Sequence, residues 1–321
     1  MDIAIWIGVF VLSLAILIKA SDWFTDSAEK IGYAFKIPAF IVGVTIVALG
    51  TSLPELVSSI IAVMNGSSEI VAGNVIGSNI ANILLVLAVA AIFAKKLKIY
   101  FELIHVDLPL LMGTSFLLAL TVWDGRFTWM EGILMLALFI VYLVYTIHSE
   151  DKNEDKEIGK EVKREKGKGK REKITWKTIV LLVISCGLIY VGAKYTIESV
   201  IKLSEIFNIA KDLIAVTAVA LGTSLPELVV SITAAKRGNA EMAVGNVLGS
   251  NIFNATLVMA IPSFIGTLVV SPVILMFSLP IMLIVTLLYF FITQDKEITR
   301  WEGWMLLIFY IFFVGKVFSL F

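Results

Sequence analysis

Two glutamates stand where a carboxylate is least welcome in this 321-residue sequence. Glu55 lies in IVALGTSLPELVSSI (46–60) and Glu227 in AVALGTSLPELVVSI (218–232), each inside a long apolar stretch. On insertion scales a carboxylate at mid-membrane costs about 2.5 kcal/mol or more, so each is a functional candidate by default. The alternative is a protonated structural glutamate bonded to a neighbouring helix; the recurrence of the same group in a proline-broken phrase favours the functional reading over it. Thr51 and Ser52 precede Glu55 by four and three residues, and Ser58 and Ser59 follow it by three and four, so helical periodicity gathers oxygens around one carboxylate. Pro54 offers no N–H to the carbonyl of Gly50, so carbonyls near residues 48–50 are expected to be free for another donor or an ion. Gly222, Thr223, Ser224, Pro226 and Glu227 repeat the arrangement.

A second phrase is also duplicated. GNVIGSNIANI (73–83) and GNVLGSNIFNA (245–255) carry Asn74, Ser78 and Asn82, then Asn246, Ser250 and Asn254, at every fourth position, and both phrases recur at one offset of 172 residues. Carboxylate, hydroxyl, amide and carbonyl oxygens without histidine or cysteine make a hard-cation site, suited to calcium, sodium or magnesium and poor for zinc or copper. For Asn74, Asn79, Asn246 and Asn251, helix packing and ion chemistry are equally open readings, whereas Ser58, Ser59 and Ser231 read as packing. Gly73 with Gly77, and Gly245 with Gly249, are small-residue pairs that permit close helix approach.

The elements that must hold these groups follow from composition. The chain is 59% hydrophobic and only 16% charged, which excludes an ordinary soluble domain. Ten stretches of membrane-spanning length are expected at 3–20, 38–64, 70–94, 102–122, 128–148, 177–197, 212–235, 242–268, 272–293 and 301–320. They are too long and too uniformly apolar for barrel strands, so the fold class is all-α and polytopic. Trp6, Trp23, Trp123, Trp129, Trp176, Trp301 and Trp304 are expected near span ends, at the headgroup level. The first stretch follows Met-Asp without a basic region, so it is expected to be a retained helix. Zero net charge gives no footprint for nucleic acid, and the lone Cys186 excludes an internal disulfide. His105 and His148 have no metal-ligand spacing and no nucleophile–base pair is evident, so no enzyme is expected.

Residues 149–177 hold 11 of the 26 lysines and arginines and almost nothing apolar, which makes them a solvated, cytoplasmic linker by the positive-inside rule. Lys95, Lys96, Lys98, Lys236, Arg237, Lys296 and Arg300 then fall inside, and the lysine-free segments 65–69 and 266–272 fall outside. The N-terminus is expected outside a multi-pass cell-membrane protein. Five spans on either side of the linker give two halves of opposite orientation: a first repeat at 1–148, a linker at 149–176, and a second, inverted repeat at 177–321. Inverted repeats are typical of secondary transporters with a midplane site.

The GTSLPE and GNxxGSNI segments resemble the alpha repeats of the sodium/calcium exchangers in the calcium/cation antiporter superfamily, and the likeness extends over all ten expected spans. The resemblance implies an antiporter exchanging sodium for calcium by alternating access, with spans 2, 3, 7 and 8 as the ion-binding core and spans 1 and 6 as a tilted gating pair. It implies as ligands the Ala48 carbonyl, Thr51, Ser52, Glu55, Ser78 and Asn82, with the Ala220 carbonyl, Thr223, Ser224, Glu227, Ser250 and Asn254. It also implies no cofactor, with calcium and sodium as transported ions, the lipid bilayer as surroundings, and a compact monomer of prokaryotic type. Many members have Asp where this chain has Asn254. Two carboxylates balance one calcium or two sodium ions, whereas the resemblance suggests three sodium ions. Proton-coupled calcium or divalent exchange is the alternative, although its known representatives tend to carry a second acid in the third-span motif, absent here. A channel would be built from rings of several subunits.

Overall fold

The computed structural model describes residues 2–35, 37–100, 106–153, 175–206 and 224–317. Helices dominate: α1 (Asp2–Phe35), α2 (Ala39–Met64), α3 (Glu69–Ala94), α4 (Asp107–Thr121), α5 (Trp129–Asn153), α6 (Trp176–Ile206), α7 (Leu225–Lys236), α8 (Ala240–Ser263), α9 (Ile274–Ile292) and α10 (Arg300–Val317). Seven of them, α1, α2, α3, α5, α6, α8 and α9, are long and apolar enough to cross a membrane. With these, the chain is a multi-pass membrane protein. The expected spans at 102–122 and 212–235 are described only in part, from residues 106 and 224 onward.

Two expectations need correction. The first helix does not end near residue 20 but runs to Phe35, and the sixth runs to Ile206 rather than 197. Charges at Asp22, Asp26 and Lys30 lower the hydropathy of the distal part of α1, yet they share one face, where Lys30 bonds Asp26 at 3.0 Å, while Ala20, Phe24 and Ala28 are buried on the core. Trp23 therefore lies within α1 and not at its end.

Burial sorts the helices. The apolar windows of α3 and α8 are 83% and 89% buried, against 17% for α1 and 22% for α5 and α6. The polar-rich helices thus form the centre, because lipid accepts apolar side chains and hydroxyls and amides must find partners inside. α2 and α8 cross closely: a Cβ on Gly43 would collide with the Met242 carbonyl, one on Gly245 with the Phe40 carbonyl, and one on Gly249 with the Val44 carbonyl. The expected small-residue contact therefore holds for Gly245 and Gly249. Gly73 meets only the Ile274 side chain at 3.3 Å, and Gly77 meets nothing among the described residues. α1 packs along α6, where Thr196 donates to Ser13 at 3.0 Å and a Cβ on Gly192 would lie 3.0 Å from the Leu17 amide nitrogen.

The 172-residue offset persists outside the motifs. Gly66 (φ +77°) and Gly238 (φ +85°) end α2 and α7 in the left-handed region that glycine tolerates, inside turns with matching bonds: Ser67 N–H to Ala62 at 2.9 Å and Asn239 N–H to Ala234 at 3.0 Å. Two short ribbons also correspond. β1 (Lys96–Lys98) pairs antiparallel with β4 (Glu297–Thr299), with Lys96 opposite Thr299, and β2 (Arg126–Phe127) pairs with β3 (Leu268–Val269), with Phe127 opposite Leu268. The first ribbon gathers segments rich in lysine, and Tyr100 N–H donates to Glu241 at 2.6 Å to bring the α7–α8 turn beside it. At the other ribbon, Gly266 lies within 3.2 Å of Val63 as judged by an added Cβ, next to the turn at 65–68.

Candidate cation-binding site

α2, α3, α7 and α8 place the motif residues. Ala48, Thr51, Ser52, Glu55, Ser78, Asn82, Ser224, Glu227, Ser250 and Asn254 are each no more than 3% exposed. Ala220 and Thr223 lie outside the described residues. Because Thr51, Ser52 and Glu55 share one face of α2, a helix crossing that face meets all three.

The two halves interlock through side chains. Ser52 donates to Glu227 Oε1 at 3.1 Å, so a hydroxyl one turn before the first carboxylate touches the second. The carboxylates of Glu55 and Glu227 lie within electrostatic reach of one another. Thr51 Oγ1 lies 3.2 Å from Asn246 Oδ1 and 3.4 Å from the Ala48 carbonyl. Asn82 Nδ2 donates to Asn251 Oδ1 at 3.0 Å, and Asn79 Nδ2 donates to the Asn251 carbonyl at 3.2 Å. Asn246 Nδ2 donates to Ser231 at 2.9 Å.

Among the described residues, several buried oxygens at this junction have no hydrogen-bond partner: Glu55 Oε2, Glu227 Oε2, Asn82 Oδ1, Asn254 Oδ1 and Ser224 Oγ. An unsatisfied polar atom in a low-dielectric interior is costly, and most native ones are paired. Most of the unpaired atoms here are oxygens contributed by both halves, beside the amide nitrogens of Asn251 and Asn254, and no basic side chain is bonded to either carboxylate among the described residues. Such a set suits a hard cation, and the residues fit calcium or sodium as cargo.

Backbone irregularity supports the same location. Asn82 and Asn254, one offset apart, each open a π-helical turn, at Asn82–Leu87 and Asn254–Val258, and another π turn at Gly43–Val47 runs into Ala48. A π turn adds a residue to the ladder, re-aims the side chains at its start, and is frequent at functional sites. No proline or glycine marks the two asparagine turns in sequence, so they were not legible.

The expectation of freed carbonyls at residues 48–50 is modified. α2 continues as an α-helix from Ala48 through Pro54 to Met64. The Gly50 carbonyl, which Pro54 cannot serve, accepts the Cys186 thiol of α6 at 3.1 Å. Sequence reasoning treated Cys186 only as an unpaired thiol and missed this contact, as it left open Asn246, Asn251 and Asn79. The repetition of GN and GSN was the signal available.

Known proteins resemble this chain in sequence and in fold. The sequence matches the family described as Sodium/calcium exchanger protein over residues 5–148 and 177–318. It is 35% identical to the sodium/calcium exchanger MaX1 of Methanosarcina acetivorans and 34% identical to the uncharacterized membrane protein MJ0091 of Methanocaldococcus jannaschii, covering 97% of both chains in each case. Solved structures of the sodium-calcium exchanger NCX_Mj are similar: one soaked with zero Na+ and Ca2+ superimposes with a TM-score of 0.82 at 32% identity, covering 98% of this chain and 99% of that one. Another, soaked with 100 mM Na+ and 10 mM Sr2+, gives a TM-score of 0.82 at 32% identity, covering 98% of each chain.

Proposed function

The chain belongs to the sodium/calcium exchanger family, and we propose that it exchanges sodium for calcium by alternating access through the site at the α2, α3, α7 and α8 junction. Glu55 and Glu227 supply the charge. Thr51, Ser52, Ser78, Asn82, Ser224, Ser250, Asn254 and the Ala48 carbonyl supply neutral oxygens, and Thr223 and the Ala220 carbonyl complete the set by the repeat. No group of the chain undergoes covalent change, so transport needs only ligand exchange and motion.

The observation that carries this reading is the bond from Ser52 to Glu227 beside several buried oxygens that are unpartnered among the described residues. A site shared between halves changes access when one part of the fold moves relative to the other, as in transporters with inverted repeats. Ten spans in two inverted groups of five, 1–148 and 177–321 about the linker at 149–176, account for the matching turns, ribbons and π turns at one offset. The lysine-rich ribbon then lies in the cytoplasm with the linker, and the N-terminus lies outside. A single chain contains both half-sites, so a monomer suffices.

The test is radiolabelled calcium uptake into proteoliposomes under an imposed sodium gradient. Uptake that follows the sodium gradient and ignores a proton gradient is expected. Uptake driven by protons alone would replace sodium coupling with the proton-coupled alternative, and no uptake under either gradient would remove the function.

A further inference from the structure

We propose that Asn246 is a positioning residue that points two hydroxyls, one from each half of the protein, toward the transported cation; the inference rests on the site reading above. A hydroxyl that ligates a cation presents a lone pair to it and must give its single proton to another acceptor. For Thr51 three acceptors are near: Asn246 Oδ1 at 3.2 Å, the Ala48 carbonyl at 3.4 Å, and Glu227, which Thr51 also faces. Two of these belong to the proposed ligand set. Once a cation engages the carbonyl and the carboxylate, Asn246 Oδ1 is the acceptor left. Ser250, one helical turn after Asn246, sends its hydroxyl to the same oxygen at 3.5 Å.

Asn246 can serve in this way only if its amide keeps one orientation, because a flipped amide would present N–H groups to both hydroxyls. The bond from its Nδ2 to Ser231 at 2.9 Å fixes that orientation, and Asn246 and Ser231 are both 0% exposed, so water does not compete. The same bond recurs in the first half, from Asn74 Nδ2 to Ser59 at 3.4 Å, also fifteen residues back along the chain. Ser231, which the sequence suggests is only packing, becomes the anchor of the arrangement.

Calcium binding to purified protein by titration calorimetry tests this, with thermal unfolding as a check on folding. Asn246→Leu keeps the shape and removes the acceptor, and should weaken calcium binding about tenfold, the scale of one buried hydrogen bond to a ligand group. Thr51→Val should lose a similar factor. The double variant should lose clearly less than the product of the two single losses, because Asn246 acts in part through Thr51 and the remainder goes through Ser250. Losses that multiply in full, or unchanged affinity in Asn246→Leu, would overturn the proposal. If Asn246→Leu does not fold, Ser231→Ala carries the test: freeing the amide should weaken calcium binding several-fold in a protein that still unfolds cooperatively, and unchanged affinity would again overturn it. Glu227→Gln separates the two readings. Loss of calcium binding there with none in the Asn246 and Ser231 variants rejects the positioning role alone, and wild-type binding in Glu227→Gln rejects the site.

Discussion

Glu55 and Glu227 carry the charge of the proposed site, and each keeps one buried oxygen without a partner among the described residues. Replacing either by Gln preserves shape and removes charge. Breaking a buried charge interaction is worth about 3–5 kcal/mol, so sodium-driven calcium flux should fall by more than about a hundredfold while the protein remains extractable and folded. Wild-type flux in either variant would move the site elsewhere. A carboxyl that holds a proton offers calcium no charge, so uptake at a fixed sodium gradient should rise as the medium is taken from acid to alkaline; a flat profile would count against carboxylate ligands. Asn254 is buried, and both its amide atoms are unpartnered among the described residues. Asn254→Asp, once ionised, adds a negative charge facing the same cations and should lower the sodium concentration that half-saturates exchange, read from sodium-dependent calcium flux. At this scale the sequence was informative about identity: acids, hydroxyls and amides at helical spacing could be read as oxygen ligands. It was silent about partnership, because Thr51 and Asn246 are 195 residues apart and no local pattern reports which amide faces which hydroxyl.

Helix boundaries were legible where an apolar stretch gives way to polar residues, as at the ends of α2 (Met64) and α7 (Lys236), and were misread where a helix leaves the apolar zone but keeps a buried stripe, as α1 does between Asp22 and Phe35. The π turns at Asn82 and Asn254 had no sequence signal, since no proline or glycine lies within either turn. Pro54 was legible as a missing donor, but its consequence was not. The Gly50 carbonyl is served from α6 by Cys186, 136 residues away, so the lost N–H is replaced by a thiol on the helix that packs against α1. This predicts a compensation. Cys186→Ala leaves the Gly50 carbonyl without that donor and should destabilise the protein by about 1 kcal/mol, the scale of one buried hydrogen bond. In a Pro54→Ala background the restored backbone N–H can serve Gly50, and the same cysteine change should then have little effect. Thermal unfolding of the four proteins decides it: equal losses in both backgrounds would show that the thiol does not stand in for the missing donor.

Ribbons, glycine turns and π turns that correspond at one offset suggest a molecule whose two ends mirror each other, yet the ends are not chemically equal. At the lysine-rich end, Arg237 in the α7–α8 turn donates to the Asp22 carbonyl at 2.8 Å, bonds the Asp22 carboxylate at 3.3 Å and lies 3.8 Å from Asp26, while Asn239 donates to Glu29 at 2.7 Å. These bonds tie the distal part of α1 to the core. The repeat places Asn65 and Ser67 where Arg237 and Asn239 stand, and Lys194 and Glu198 where Asp22 and Asp26 stand, so the opposite end has no ionic counterpart of Arg237. If α1 and α6 slide across the core during exchange, this tie must break each time the lysine-rich end opens. Arg237 and its acidic partners are 30–41% exposed, and ion pairs of that kind are worth at most about 1 kcal/mol. Arg237→Ala should therefore change calcium–calcium exchange, which reports movement of the loaded protein alone, by no more than about fivefold, in the direction of faster turnover when opening of that end limits the rate. Calcium affinity should not change, because Arg237 lies outside the proposed ligands. Asn65→Ala, at the mirrored position, should leave the rate alone. An unchanged rate in Arg237→Ala, or an equal response in Asn65→Ala, would mean that the charged tie does not bias the movement and that the two ends behave alike despite their different chemistry.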